Sequence, residues 1–150
     1  MKKVFVIVLF IFKFTLFGNS IKVPNFQLLD LQKIEHSLDK YKNKLIVLIF
    51  WNKQCNYCKN LLDSINEIYY KHKDVVFLTF TNSDLNGINS LLEDKKYNFP
   101  VIKDDEIFNK YLIFNYPTTI ILDKNNNIIN YIEGEIKTEK LEKIINDNLE

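Results

Sequence analysis

The chain has 150 residues, of which 47% are hydrophobic and 26% charged, and its 20 basic residues nearly balance its 19 acidic ones. This composition is typical of one globular domain and excludes an intrinsically disordered chain or a two-domain enzyme. The formal net charge is +1, every basic residue is a lysine, and no basic cluster is present, so nucleic acid is not an expected partner.

The first 20 residues have the pattern of a secretory signal. A positive start at Met1–Lys3 precedes an apolar run at residues 4–17 that is interrupted by Lys13. Small residues at 18 and 20, the minus-three and minus-one positions, favour a cut before Ile21. The run is shorter than the roughly 20 residues of a membrane-spanning helix, so we predict cleavage, with retention as a membrane anchor as the alternative. Residues 21–150 would then form the domain in an oxidising compartment outside the cytoplasm, such as the periplasm.

The remaining chain alternates segments typical of strands and of helices. Buried strands are indicated by continuous runs of β-branched and aromatic residues, and helices by apolar residues at helical spacing. In chain order we predict a short strand at Phe26–Leu31, a helical turn at Ile34–Tyr41, a buried strand at Leu45–Trp51, an amphipathic helix from Cys55 to His72, a strand at Val75–Phe80, a helix at Asp84–Lys95, an extended piece at Phe99–Ile102, a short helix at Glu106–Leu112, strands at Thr118–Leu122 and Ile128–Ile132 joined by a polar turn, and a last helix capped by Thr138.

This order of elements predicts an α/β fold with a central mixed β-sheet flanked by helices. The polar turn at residues 123–127 favours an antiparallel hairpin between the last two strands. Asn43 and the asparagines of that turn stand where glycine is common, and asparagine is the other residue that best tolerates positive φ.

The two cysteines, Cys55 and Cys58, are separated by two residues at the predicted start of a helix. Unpaired N–H groups and the positive end of the helix dipole stabilise a thiolate there, so Cys55 is the candidate nucleophile. Cys58 would attack the resulting mixed disulfide and close an intramolecular disulfide. The spacing alone also fits half of a zinc site or a structural disulfide. The only other soft metal donors are His36 and His72, and both histidines are expected at the surface.

Two segments together resemble the thioredoxin superfamily, and within it the exported TlpA/ResA-like thiol-disulfide oxidoreductases. They are Phe50–Lys59, with paired aromatic residues before the two cysteines, and Tyr116–Lys124, in which Pro-Thr-Thr opens a strand. The resemblance covers residues 24–149 and includes that group's N-terminal extension and a central insertion at residues 82–111.

The resemblance implies a redox dithiol at Cys55 and Cys58, without a metal or other cofactor. Pro117 corresponds to the cis-proline beside the dithiol, which would leave the backbone of Tyr116 free to pair with an extended substrate. Trp51 matches an aromatic residue near the active site, although a core position at the end of a strand explains it equally well. Asn56 and Tyr57, between the cysteines, would tune the dithiol.

The chain also departs from the family at three positions near the dithiol. Many relatives have a glutamate and a proline shortly after the second cysteine, where this chain has Leu61 and Asp63. Thioredoxins place a buried aspartate at the position of Ile49. No proton acceptor for Cys58 can therefore be identified from the sequence.

The leading functional hypothesis is an exported, monomeric reductase of disulfides in client proteins, which include apocytochromes c. Its electrons would come from an upstream thiol donor in the membrane. A disulfide oxidase or isomerase is the alternative within the same class, and a non-catalytic thioredoxin-like binding module is the alternative outside it. A peroxiredoxin is excluded because the proline and threonine that precede its reactive cysteine are absent before Cys55.

Overall fold

The structure, a computed structural model, describes residues 20–149. The predicted export signal at residues 1–20 lies outside the described residues, apart from Ser20, and stays a prediction. The strands are β1 (Gln27–Leu29), β2 (Glu35–Ser37), β3 (Leu45–Trp51), β4 (Val75–Thr81), β5 (Val101–Lys103), β6 (Thr118–Leu122) and β7 (Ile128–Glu133). The helices are α1 (Asn56–Lys71), α2 (Leu85–Lys95), α3 (Glu106–Lys110) and α4 (Thr138–Leu149), with a short 3-10 helix at Asp39–Tyr41.

A mixed five-stranded sheet forms the centre of the fold, in the order β5-β4-β3-β6-β7. The first three strands of this order are parallel, and β6 and β7 run antiparallel to their neighbours. The central strand β3 is buried along its whole length, as its apolar sequence predicts. The predicted α/β fold and the antiparallel hairpin of β6 and β7 are therefore confirmed.

The two faces of the sheet are covered by different elements. One face packs against α1 and α4 through the odd-numbered residues of β3, and Ile88 of α2 joins the same core. The other face is covered by α3 and the N-terminal segment, with Phe26 and Leu38 packed on the even-numbered residues of β3. The amphipathic α1 and α4 turn their apolar sides inward, as their helical spacing predicts.

The N-terminal segment connects with both edge strands of the sheet. At one edge, the N–H group of Ile128 in β7 donates to the carbonyl of Ile21 (2.8 Å). At the other edge, the N–H group of Leu31 donates to the carbonyl of Val101 in β5 (2.9 Å). Between them, Phe26 lies edge-on against Phe80, with 5.4 Å between ring centroids. These contacts cover edges that would otherwise offer unpaired backbone groups.

The prediction for residues 34–41 is wrong in one part. Glu35–Ser37 forms a strand antiparallel to β1, and only Asp39–Tyr41 is helical, as a 3-10 turn. His36, expected at the surface, is buried with 4% of its surface exposed. Its ring nitrogens lie 3.0 Å from the Asp30 carboxylate and 2.5 Å from the Tyr41 hydroxyl.

The predictions for the asparagines in turns are confirmed at Asn43 and Asn126, whereas that for Thr138 as a helix cap is not. Asn43 and Asn126 have positive φ angles of 65° and 63°, as expected for asparagines in tight turns. Thr138 is the first residue of α4, but its hydroxyl donates to the hydroxyl of Ser64 on α1 (2.8 Å), so it joins the two helices. In the part of the chain that the structure describes, no helix has the length and apolarity needed to span a bilayer.

The Asp30 carboxylate accepts hydrogen bonds from three residues of the N-terminal segment, and its ionisation makes the stability of the fold depend on pH. Burial raises its pKa, but hydrogen bonds from His36 and from the N–H groups of Ile34 and Gln32 outweigh burial and hold the pKa below its ordinary value. A group with a lowered folded pKa stabilises the fold above its unfolded pKa of about 3.9 and loses this contribution as the pH falls through the folded value.

We therefore expect Asp30→Asn to lower the free energy of unfolding at pH 7 by about 2 kcal/mol, because buried charge-assisted hydrogen bonds are lost. The difference from the wild type should narrow when the pH is lowered from 5 towards 2. Urea unfolding at several pH values measures it. Asp74→Asn is the matched control, because the Asp74 side chain is 90% exposed. Equal effects of the two substitutions would contradict the prediction.

Candidate active site

Cys55 lies at the end of the loop that joins β3 to α1. Four residues after β3 ends, Cys55 takes an extended conformation (φ −87°, ψ 109°) as the N-cap of α1. Its Sγ accepts a hydrogen bond from the N–H group of Cys58 (3.1 Å). The two cysteines form a disulfide, with 5.3 Å between their Cα atoms. The sulfur of Cys55 therefore occupies the position at which a helix terminus stabilises a thiolate.

The two cysteines differ in exposure. Cys58 is 1% exposed and belongs to the core beneath α1, together with Leu61 and Ile65. Cys55 is partly exposed, and the two residues between the cysteines, Asn56 and Tyr57, are exposed. Of the two sulfurs, that of Cys55 is thus the one that a large substrate can reach first.

The loop before β6 forms the opposite wall of the site. In the antiparallel register Phe50 lies opposite Thr118, which brings Pro117 beside the end of β3. The peptide bond between Tyr116 and Pro117 is cis, as the resemblance predicts. Pro117 is buried and its carbonyl accepts from the N–H group of Gly134 (2.7 Å), while Tyr116 is half-buried.

An open groove of about 540 Å³ runs between these two loops. Among the described residues, no charged side chain lines this groove. Its lining consists of Asn52, Gln54, Cys55, Asn56, Tyr57, Phe114, Asn115 and Tyr116. Of the residues singled out in the sequence, the structure brings Cys55, Asn56, Tyr57 and Tyr116 together around the groove.

Trp51, Cys58 and Pro117 lie behind the groove rather than in its lining. Trp51 is 1% exposed and packs in the same core as Cys58. Its ring N–H group is buried without a hydrogen-bond partner among residues 20–149. Ile49 and Leu61 are fully buried, so the positions at which many relatives have a carboxylate are apolar here.

A chain of side-chain hydrogen bonds joins the loop of Cys55 to the loop of Tyr116. Asn52 accepts from the N–H group of Gln54 (2.9 Å) and donates to the side chain of Asn82 (2.9 Å). Asn82 in turn donates to the hydroxyl of Tyr116 (3.0 Å). The sequence did not single out Asn52 or Asn82, because a loop asparagine looks the same whether it contacts solvent or another loop.

A second connection fixes the Cys55 loop to the start of α2. The N–H group of Lys53 donates to the hydroxyl of Ser83 (2.8 Å), and the ammonium group of Lys53 pairs with Asp84, the N-cap of α2. The hydrogen bond from Lys53 and that from the N–H group of Gly87 lower the pKa of Asp84. The lysine side chain crosses close over Gly87, where a Cβ atom would collide with it. The loop that carries the nucleophile is thus held from two sides.

The described residues contain no group of three or more His, Cys, Asp or Glu side chains arranged to hold a metal ion. His36 and His72 do not meet the dithiol. His36 is bound to Asp30 and Tyr41, and His72 ends α1 beside Glu142 (3.7 Å). The reactive groups that the structure places beside the groove are the two cysteine sulfurs.

Comparison with known proteins agrees with this geometry. Residues 20–131 match the AhpC/TSA family. The thiol-disulfide oxidoreductase ResA of Geobacillus kaustophilus is 31% identical over 125 residues, which cover 80% of this chain and 72% of that protein. Both findings concern the part of the chain that carries the dithiol.

Solved structures show the same fold. A thiol:disulfide interchange protein of Chlorobium tepidum superposes with a TM-score of 0.81 at 16% identity, over 89% of this chain and 99% of its own. A secreted disulfide oxidoreductase of Mycobacterium tuberculosis superposes with a TM-score of 0.73 at 16% identity, over 81% and 95%.

The hydrogen-bonded connection through Asn82 predicts energetic coupling between the two loops. Asn82→Ala and Tyr116→Phe each remove one partner of the same bond, so the double variant should lose less stability than the sum of the single variants. We expect a coupling free energy of about 1 kcal/mol in a double-mutant cycle of urea unfolding. Additive effects would show that the bond between Asn82 and Tyr116 does not stabilise the site.

Proposed function

The chain belongs to the AhpC/TSA family with a thioredoxin-like fold and is a thiol-disulfide oxidoreductase related to ResA, and we propose that it reduces disulfides in exported client proteins. The observation that carries the proposal is the pairing of an accessible Cys55 with a buried Cys58 next to an open groove. In this arrangement the client disulfide can reach the sulfur of Cys55, while the sulfur of Cys58 stays shielded from the client until the second step.

The reaction proceeds through two thiol-disulfide exchanges. In the reduced protein the Cys55 thiolate attacks one sulfur of the client disulfide, and the other client sulfur leaves as a thiolate and takes up a proton. Cys58 then loses its proton and attacks the sulfur of Cys55. The bond between Cys55 and the client breaks, the second client thiol is released, and the disulfide between Cys55 and Cys58 forms. Two electrons pass from the dithiol to the client.

The neighbouring residues have separate tasks in this scheme. The N-cap position of Cys55 stabilises its thiolate through the helix dipole and the N–H group of Cys58. Tyr116, beside Pro117, offers its backbone to an extended client segment, while Asn56 and Tyr57 adjust the reactivity of the dithiol. Because both electrons reside in the two thiols, the reaction needs no metal or organic cofactor.

The cycle requires a partner that returns the protein to its reduced form. We propose an upstream dithiol donor in the membrane, which would reduce the disulfide between Cys55 and Cys58 by the same exchange chemistry. The secreted character of the Mycobacterium tuberculosis neighbour and the apolar N-terminal run support a location outside the cytoplasm, such as the periplasm. The protein would act there as a monomer, released from its signal or held by residues 4–17.

The resemblance to exported TlpA/ResA-like proteins supports one class of client. The haem-attachment segment Cys-x-x-Cys-His of apocytochromes c must be reduced before haem is attached. Such a segment is short, and in an unfolded client it can lie extended in the groove. We propose these segments as clients of the protein.

Trapping the mixed disulfide tests the proposed reaction. Reduced Cys58→Ser protein mixed with an oxidised Cys-x-x-Cys-His peptide should accumulate a covalent complex, because the serine cannot attack the sulfur of Cys55. Mass spectrometry measures the complex and locates the bond.

The matched control is reduced Cys55→Ser, in which the remaining sulfur is buried. It should form at least tenfold less complex, in line with the dependence of exchange on access to the thiolate. Equal trapping by both variants would contradict the assignment of Cys55 as the nucleophile. Absence of any complex with Cys58→Ser would contradict the reductase function.

A further inference from the structure

The loop between α3 and β6 exposes two large apolar side chains, and one of them, Phe114, lines the groove. Leu112 is 65% exposed and Phe114 is 75% exposed. Their neighbours in the chain, Tyr111 and Ile113, are 6% and 5% exposed. The loop therefore buries alternate residues in the core and leaves the intervening ones exposed. Exposure of neighbouring large apolar side chains is unusual, because burial of apolar surface stabilises a fold.

Hydrogen bonds fix the conformation of this loop. The N–H group of Ile113 donates to the carbonyl of Phe108 (2.8 Å), and the N–H group of Leu112 donates to the carbonyl of Asn109 (3.2 Å). Farther along, the side chain of Asn115 donates to the carboxylate of Glu133 on β7 (3.0 Å). The exposed side chains thus belong to a loop that is tied on both sides to regular structure.

Leu112 is also in an unfavourable backbone conformation. Its φ angle is +56°, in the left-handed region that a leucine rarely adopts. Backbone strain of this kind persists where the surrounding structure enforces it, and it is frequent at ligand-binding sites. Here the conformation turns the leucine side chain to solvent while Tyr111 and Ile113 stay buried.

The position of Phe114 indicates what covers it. Phe114 lines the same groove as Cys55, together with the exposed Tyr57 between the cysteines. An extended peptide advances about 3.3–3.6 Å per residue, so residues within a few positions of the client cysteine must lie against this wall during the reaction. Within residues 20–149, the lining of the groove contains no charged side chain that could pair with a charged client residue.

We propose that Tyr57, Leu112 and Phe114 form an apolar rim that selects clients with a large apolar residue next to the reactive cysteine. This inference rests on the proposed function, because it concerns the client of the same dithiol. The client segment is extended and uncharged around its cysteine. A charged residue at the same place is disfavoured because it loses water without gaining a partner.

A pair of peptide disulfides tests the inference. The two peptides are identical except for the residue next to the cysteine, which is leucine in one and glutamate in the other. The measured quantity is the ratio of the second-order rate constants for their reduction by the pre-reduced protein in a single turnover. Each variant is judged by this ratio, so that a change in the reactivity of its dithiol cancels.

The wild type should prefer the leucine peptide by about tenfold or more. The leucine side chain is buried against the apolar rim, whereas the glutamate side chain of the other peptide would bring a charge to the same place. Phe114→Ser should reduce this preference severalfold. Leu112→Asn should do the same, and asparagine tolerates the left-handed backbone at that position. Both substitutions are at exposed positions, so the core is left intact.

Tyr70→Ser is the matched control. Tyr70 is 50% exposed, similar to the rim residues, but lies on α1 about 22 Å along the helix from Cys55. It should retain the wild-type preference. No preference in the wild type, an unchanged preference in both rim variants, or the same loss in Tyr70→Ser would each overturn the inference.

A small disulfide separates this inference from the function on which it rests. The wild-type protein should reduce bis(2-hydroxyethyl) disulfide, which has no side chain to select. Reduction of this compound without a preference between the peptides overturns the apolar rim alone. Failure to reduce the compound overturns the proposed function, and the apolar rim with it.

Discussion

The register of the central strand β3 determines the geometry of the site. All seven residues of β3 are buried, and the strand is paired with β4 on one side and β6 on the other. Its end brings Cys55 to the start of α1, and its pairing with β6 places Pro117 next to that end. The cysteine and the proline are 62 positions apart in the chain, yet one strand pairing holds them together. A slip of one residue would turn the side chains of β3 to the opposite face and separate the two walls of the groove.

The unequal exposure of the cysteines follows from the helix that they open. Cys55 is the cap and lies outside the helical repeat, whereas Cys58 falls on the side of α1 that carries Leu61 and Ile65 into the core. The two intervening residues occupy the solvent side. The amphipathic pattern that packs α1 on the sheet therefore leaves one sulfur accessible and buries the other. The hydrogen bonds of Asn52 and Asn82 join the loop of the accessible sulfur to the opposite wall of the groove.

The parts of the structure that the sequence predicted are those governed by local pattern. A continuous apolar run predicted β3 to the residue, and helical spacing predicted α1 within one position at either end. The strand at Glu35–Ser37 was missed because its residues have no strand pattern, and the burial of His36 depends on Asp30 and Tyr41. The bond between Asn52 and Asn82 joins loops 30 positions apart, and the exposure of Phe114 is set by the burial of its neighbours. Neither can be predicted from residue type, because both arise only after the strands have paired.

The central claim is that the dithiol donates electrons to clients, and the equilibrium reduction potential of Cys55 and Cys58 tests it most directly. The protein would be equilibrated with glutathione and dithiothreitol buffers of known potential, and the fraction of disulfide measured at each. Known proteins of this chemistry range from about −270 mV for thioredoxin, a reductant, to about −120 mV for a strong oxidant. A reductase predicts a value near or below about −250 mV. A value above about −180 mV would contradict the account and indicate a disulfide oxidase or isomerase.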